Sequence, residues 1–390
     1  MPIALALSGG GIRAMVFHLG VLRLLAERGL LERVTKVSTV SGGSLLIGLM
    51  LQETDLQWPT SEQFLSRTLP ALRSKLCARS LQWGALRQLR NPLNLRLLLS
   101  RSNLLALALR NEWDVRAALS DLPEVPEWSI NGTTAENGKR FRFKRSDIGD
   151  YTLGYASGTR FPLASALAVS AALPGGFGPL TLEASRFEWR KRPWDAPAGS
   201  EQAVDIGYDR LHLYDGGVYD NLGLEPFFDA GRQEPKHAGH YIIASDAGAP
   251  LSKGFDHRAL SVFRLKRMAD IMSDQARALR VRTFAGYLQR TAGRGAYVYI
   301  DTAVTSAAEC ASAAYAARFP TTLRRLKVVE FDRIAEHGYA VSLRVEREFG
   351  LCGGTAPAEN TTPNGNRGRL RDGVPSGAGN ASGMSSALPS

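Results

Sequence analysis

A short apolar run that ends in glycines and gives way to a helix occurs twice near the start of the chain. Ile3-Ala4-Leu5-Ala6-Leu7 ends in Ser8-Gly9-Gly10-Gly11, after which Met15, Leu19, Leu22 and Leu25 or Ala26 recur at helical spacing until Gly29. Val34 to Val40 repeats the plan, ending in Ser41-Gly42-Gly43 before the apolar stretch Ser44 to Leu51. Two strands joined by a helical crossover run parallel, and a parallel sheet must be covered by helices on both faces. An α/β architecture follows from this pattern alone.

With 390 residues, against a typical domain of roughly 100 to 200, the chain has room for two units or for one large α/β domain with an insertion. Hydrophobic residues at 44% and charged residues at 22% describe a globular protein whose core needs neither disulfides nor metal. Cys77, Cys310 and Cys352 are odd in number and share no CxxC spacing, which argues against a disulfide framework or a zinc site and points to a reducing compartment. The apolar start, Met1 to Leu7, lacks a basic leader and is broken at Gly9, so the expectation is a buried first strand, not a signal peptide or a membrane span. A net charge of +11 favours an anionic partner: a phospholipid surface, a nucleic acid or an acidic substrate.

Between Gln63 and Asn111 there is no acidic residue, while arginines and Lys75 are spread throughout and leucines fill the second half. Two accounts of this stretch stand together. It is an inserted helical cap whose leucines pack on the core, and it is a basic amphipathic segment suited to anionic lipid. Among the arginines of residues 67–110 only Trp83 supplies an aromatic, too few for a nucleic-acid stacking surface, so no nucleic-acid partner is expected. Pro126 to Lys144 alternates as β structure with a turn signal at Asn131-Gly132. Ala164 to Ala172 reads as a close-packed helix stopped by Pro174-Gly175-Gly176, and Arg258 to Gln289 as a helix rich in Arg and Ala. Leu211 to Tyr214 and Tyr241 to Ala244 read as buried strands leading to Asp215 and Asp246. After about Gly350 the chain turns to Gly, Ser, Pro and Asn, so the expected division is a domain over 1–350, with a helical insertion at about 55–115, and a disordered tail over 351–390.

Three features carry chemistry. Ser41 stands between an apolar strand and an apolar helix, as in a nucleophile elbow, where a strained turn lifts Oγ above the sheet; the usual glycine two places earlier is here Thr39. Gly9, Gly10 and Gly11 leave backbone N–H groups uncovered at a helix start, a place for a phosphate or for an oxyanion. A dinucleotide fingerprint would want glycine at Ala14 and an acidic residue on the second strand, which offers only Lys36. Asp215-Gly216-Gly217 puts a carboxylate at a strand end with open space beside it. Each motif alone is compatible with an ordinary turn.

Taken in order, Gly9-Gly10-Gly11-Ile12-Arg13, Ser41-Gly42-Gly43 and Asp215-Gly216-Gly217 resemble the patatin-like phospholipase family, lipid acyl hydrolases with a Ser-Asp dyad. The resemblance extends to His18-Leu19-Gly20-Val21-Leu22, to Ala168 through Pro174 and to Asp220-Asn221-Leu222-Gly223, over roughly residues 1–50 and 126–345. It implies a three-layer α/β/α fold with a mostly parallel central sheet, and leaves the inserted basic helical cap and the tail unmatched. It also implies Ser41 as nucleophile, Asp215 as its activating partner, and Gly9, Gly10, Gly11 and the Gly42 N–H as the oxyanion hole. Arg13 would orient the loop or meet lipid phosphate, and His18 would be a packed structural residue. No cofactor and no metal are expected. The substrate implied is a phospholipid or related lipid ester met by peripheral contact with an anionic membrane from the cytoplasm. A non-catalytic module that holds an anionic lipid head group or a nucleotide in the Gly-rich loop and the cap is the competing reading.

Overall fold

The computed structural model describes residues 1–97, 101–172, 178–197, 199–255, 262–303 and 307–351. The expected stop at Pro174-Gly175-Gly176 and the tail from 352 onward lie outside the described residues. The two strand-turn-helix units are β1 (Ile3–Leu7) with α1 (Gly11–Glu27) and β2 (Val34–Thr39) with α2 (Gly42–Gln52). Four helices follow, α3 (Ser61–Gln63), α4 (Leu69–Ala78), α5 (Leu81–Arg87) and α6 (Arg101–Glu112). A run of strands comes next, β3 (Glu127–Thr134), β4 (Arg140–Phe143), β5 (Asp147–Asp150) and β6 (Gly154–Ser157), then α7 (Leu163–Ser170), β7 (Leu180–Glu183), β8 (Arg190–Lys191), β9 (Gln202–Ala203) and β10 (Arg210–Asp215). The chain continues through α8 (Gly217–Asp220), β11 (Phe228–Asp229), β12 (Glu234–Pro235), β13 (Tyr241–Asp246), α9 (Val262–Arg290), β14 (Gly295–Tyr299), α10 (Ala307–Arg318) and α11 (Val328–Phe349).

Among the described residues twelve strands form one sheet, ordered β14-β13-β1-β2-β3-β4-β5-β6-β8-β9, with β10 also paired to β3 and β7 to β10. The pairs from β14 to β3 are parallel and those beyond β3 antiparallel. The sheet is thus mixed: after β3 the chain returns by tight turns, which can only make antiparallel neighbours. Alternation along β1 builds the three layers. Ile3, Leu5 and Leu7 enter the core shared with α1, α2 and α11, while Ala4 and Ala6 face a second core containing Phe228, Ile242, Phe284 and Tyr287, to which α9 contributes.

Asn131-Gly132 is not the turn its sequence suggests. β3 runs straight through it, and the chain reverses between Thr134 and Arg140. A Cβ at position 132 would lie 2.8 Å from Val169 Cγ1, so this glycine lets α7 close down on the strand. Asn131 is held in the strand because its amide donates to Ser38 Oγ and to the Thr39 carbonyl, both at 2.9 Å.

In the basic stretch Leu72, Leu76, Leu81, Leu104, Leu105 and Leu109 are buried in the main core, as the packing account requires. Its cations reach acids outside it: Arg73 pairs with Asp332 at 2.7 Å, Arg87 with Glu112 at 3.0 Å, and Lys75 with Glu53. Trp83, Leu86 and Leu93 remain exposed. Among the described residues no helix is long and apolar enough to cross a membrane, and no group of three or more His, Cys, Asp or Glu could hold a metal ion.

Candidate active site

β3 is longer than its neighbours, and two strands share one of its edges. β2 pairs in parallel with Glu127 to Ile130, and β10 pairs antiparallel with Gly132 to Thr134, while β4 takes the other edge. The C-terminal ends of β2 and β10 therefore point at each other along β3, with Asn131 between them. Ser41 follows the end of β2 and Asp215 ends β10, so the Ser41 hydroxyl lies close enough to the Asp215 carboxyl to favour its ionised form.

Ser41 has φ 49° and ψ −116°, a left-handed conformation that costs a non-glycine residue about 1 to 3 kcal/mol unless its surroundings enforce it. The enforcement is visible. The Ser41 N–H donates to Ser170 Oγ at 3.0 Å, and Ser170 Oγ donates in turn to the Asn131 carbonyl at 2.7 Å. Ser170 can then only accept from Ser44 at 2.8 Å, Ser44 accepts from Thr39 at 2.7 Å, and Thr39 accepts from the Trp128 indole at 2.9 Å. Every hydroxyl in this one-way chain is buried. Thr39, the departure from the usual glycine, is a working member of it. Thr39→Val is expected to leave the Trp128 N–H without an acceptor and Ser44 without a donor, costing about 1 to 3 kcal/mol in denaturant unfolding. A threonine kept only for its shape would tolerate the change.

Asp215 is 2% exposed. Burial pushes its carboxyl up to about 7, against the opposing pull of the Gly217 N–H, 2.7 Å from Oδ1, and the Ser41 hydroxyl. A carboxyl poised near neutrality beside a strained serine hydroxyl has the properties of a general base.

The glycine loop lies over this pair. A Cβ on Gly9 would come within 3.0 Å of Ser41 Cβ and 2.4 Å of Asn221 Oδ1, and one on Gly42 would fall 2.2 Å from the Gly11 carbonyl oxygen. The starts of α1 and α2 thus meet at Ser41, with no acidic residue in either first turn, so both helix dipoles present their positive ends there. The Gly9 N–H is already bound to the Asn221 carbonyl at 3.0 Å. Among the described residues the N–H groups of Gly10, Gly11 and Gly42 have no acceptor. Gly9 was expected as a donor; its contribution here is space.

Arg13 is 2% exposed and donates to the Ala247 carbonyl at 3.1 Å and to the Phe319 carbonyl at 2.5 Å. Burial lowers its guanidinium to about 10, partly offset by Asp246. These contacts fit the loop-orienting role of the two expected for it, since the guanidinium is spent on backbone. His18 is buried and pushed down to about 4 by burial. Its Nε2–H must donate to the Ser8 carbonyl at 3.0 Å, leaving Nδ1 to accept from Ser245 Oγ at 2.7 Å. It is a neutral brace for the residue that precedes the loop.

Asn221 and Ser170 received no role from the sequence. Asn221 locks Gly9 through its backbone and brings its side-chain amide beside Gly9, Gly217 and Gly248. The available signal was its position six residues after Asp215, in a run already noted as part of the resemblance. Ser170 was one of several small residues in an apolar helix, and nothing local set it apart.

A family model described as Patatin-like phospholipase matches residues 5–228, more than half of the chain. Among solved structures, human GIVD cytosolic phospholipase A2 shares 16% identity at a TM-score of 0.50, covering 88% of this chain and 61% of that one. VipD from Legionella pneumophila shares 15% identity at a TM-score of 0.37, covering 89% of this chain and 67% of that one. The chain thus spans about three-fifths of the human enzyme's structure, and a likeness at this identity is one of fold. No curated protein sequence matches it.

Proposed function

We propose, for a chain that belongs to the patatin-like phospholipase family, that it hydrolyses carboxylic esters of phospholipids or related lipids through an acyl-serine on Ser41. In this reading residues 1–350 form the hydrolase domain, with a cap at about 55–115. The observation that carries the proposal is the juxtaposition of a conformationally strained Ser41 with a buried Asp215 whose carboxyl, pushed up to about 7 by burial, feels the Ser41 hydroxyl.

Ser41 Oγ attacks the ester carbonyl carbon while Asp215 takes the hydroxyl proton. Negative charge then develops on the carbonyl oxygen, at the meeting point of the α1 and α2 starts, where the N–H groups of Gly10, Gly11 and Gly42 serve as donors. As the tetrahedral intermediate collapses, the C–O bond to the alcohol or lysolipid breaks and the leaving oxygen receives the proton from Asp215. Water attacks the acyl-serine and gives its proton to the same carboxylate. The fatty acid departs and Ser41 regains its hydrogen. No histidine is needed, because a base near 7 already borders the nucleophile. Arg13 acts as a positioning residue for the loop.

A fluorophosphonate probe tests this directly. The expected result is a single adduct on the peptide containing Ser41 in folded protein and none in Ser41→Ala. If folded wild type takes up no label, the catalytic reading is overturned in favour of a module that only binds its anionic ligand.

A further inference from the structure

The N-terminal half of α9 does not behave like a helix of a sealed globular protein. Leu265, Met268, Met272 and Leu279 are between 58% and 71% exposed, and Ile271 is 40% exposed. Their spacings of three, four and seven residues place them along one face. Further along the helix Phe284 and Tyr287 are buried against Phe228. Exposed apolar side chains gathered into a continuous stripe mark a surface that something covers.

Charge says what. α9 carries seven Lys and Arg against two Asp, and both acids are engaged within the helix, Asp270 by Lys266 at 2.6 Å and Asp274 by Arg277 at 3.3 Å. A second copy of the same helix would bring the same surplus of positive charge, on a chain of net +11, so self-association is opposed. An anionic lipid surface is complementary to both the apolar stripe and its basic flanks.

The position relative to Ser41 gives the surface a purpose. Midway along, Arg277 fastens the helix to Asp246 at 2.7 Å, and Arg280 lies 3.6 Å from Asp220 and over the Tyr219 ring. A Cβ on Gly248 would touch both Arg277 Cδ and the Asn221 amide, the same amide that borders Gly9 and Gly217. Val218, next to Gly217, is 55% exposed on that rim. We infer that the Leu265-Met268-Met272-Leu279 face of α9 docks on an anionic phospholipid bilayer and holds the mouth of the Ser41 site against it. The purpose of this docking rests on the lipid-ester reading, although its test does not.

The full chain is compared with Leu265→Ser/Met272→Ser for binding to vesicles of mixed phosphatidylcholine and phosphatidylglycerol, and for hydrolysis of a small soluble ester. Loss of this much inserted apolar surface is expected to weaken vesicle binding by about tenfold or more, to lower turnover of vesicle-borne substrate in step, and to leave soluble-ester turnover and melting temperature unchanged. Unchanged vesicle binding overturns the inference. So does a wild type that sediments as a dimer and a variant that sediments as a monomer, because the stripe would then be a protein contact. Arg87→Glu/Arg90→Glu in the cap is the rival: loss of binding there alone, with α9 neutral, also overturns it. If neither protein cleaves the soluble ester while the α9 variant still loses vesicle binding, docking stands and the catalytic proposal falls.

Discussion

Asp215→Asn is expected to fold, to retain the Gly217 N–H contact, and to lose ester hydrolysis by about 10⁴-fold or more, the scale of removing the base from a serine nucleophile. The amide is nearly isosteric and still offers an oxygen to the Gly217 N–H and to the Ser41 hydroxyl, but it cannot accept the proton. In the wild type kcat/KM should rise as pH climbs through about 7 and level off above it, because only ionised Asp215 is a base. Stability should move the other way. The folded carboxyl titrates near 7 and the ordinary value is 3.8, so the native state holds an extra proton between these limits. Wild-type stability therefore falls as pH rises across that window and is flat above it. Asn carries no charge to bury, so its stability relative to wild type should grow across the window by on the order of 4 kcal/mol. Denaturant unfolding of both proteins at several pH values, with kinetics on a soluble ester, checks the two halves together. A variant that keeps turnover, or whose relative stability is indifferent to pH, would mean that Asp215 is not the proton acceptor.

Gly42→Ala is the second large effect expected. Gly42 is not in the left-handed region, so alanine meets no backbone penalty there. The added methyl instead lies 2.2 Å from the Gly11 carbonyl oxygen and 3.0 Å from Ala14 Cβ, neither of which is a flexible side-chain end. The starts of α1 and α2 must separate. Donors that stabilise an oxyanion do so within a few tenths of an ångström, and loss of one costs about 10² to 10³ in kcat. The prediction is a fall of that size with KM little changed and a lowered melting temperature, read by steady-state kinetics and thermal unfolding. Wild-type kcat in a folded Gly42→Ala protein would remove Gly42 from the oxyanion hole and leave Gly10 and Gly11 to account for it.

Much of the framework around the candidate site is legible in the amino-acid sequence. Apolar runs ending in Gly9-Gly10-Gly11 and Ser41-Gly42-Gly43 became β1 to α1 and β2 to α2, because periodicity and glycine punctuation act over a few residues and survive tertiary packing. The helix read over Ala164 to Ala172 is α7 at Leu163–Ser170, for the same reason. Misreadings arose where a local signal was overruled at a distance. Asn131-Gly132 has the composition of a turn, but the Asn131 amide is claimed by Ser38 and Thr39 from another strand, and the missing side chain of Gly132 is claimed by Val169. The Gly9 N–H looked free because its acceptor, Asn221, is 212 positions away. Arg13 looked available to a phosphate because the Phe319 carbonyl that receives it is 306 positions along the chain.

Residue type and short-range order were sufficient to propose Ser41, Asp215 and the amide-rich loop as a candidate site, since a serine on a strand-to-helix turn and an aspartate before two glycines are properties of adjacent residues. That the pair should meet was settled by β3. Its eight residues leave room on one edge for β2 and β10 to run toward each other, and no local rule encodes which strands will share an edge, because that is chosen by burial and hydrogen-bond closure over the whole sheet. The same holds for the near-neutral Asp215: the chemistry of the group is in its name, but the desolvation that tunes it comes from residues gathered around it only once the chain is folded.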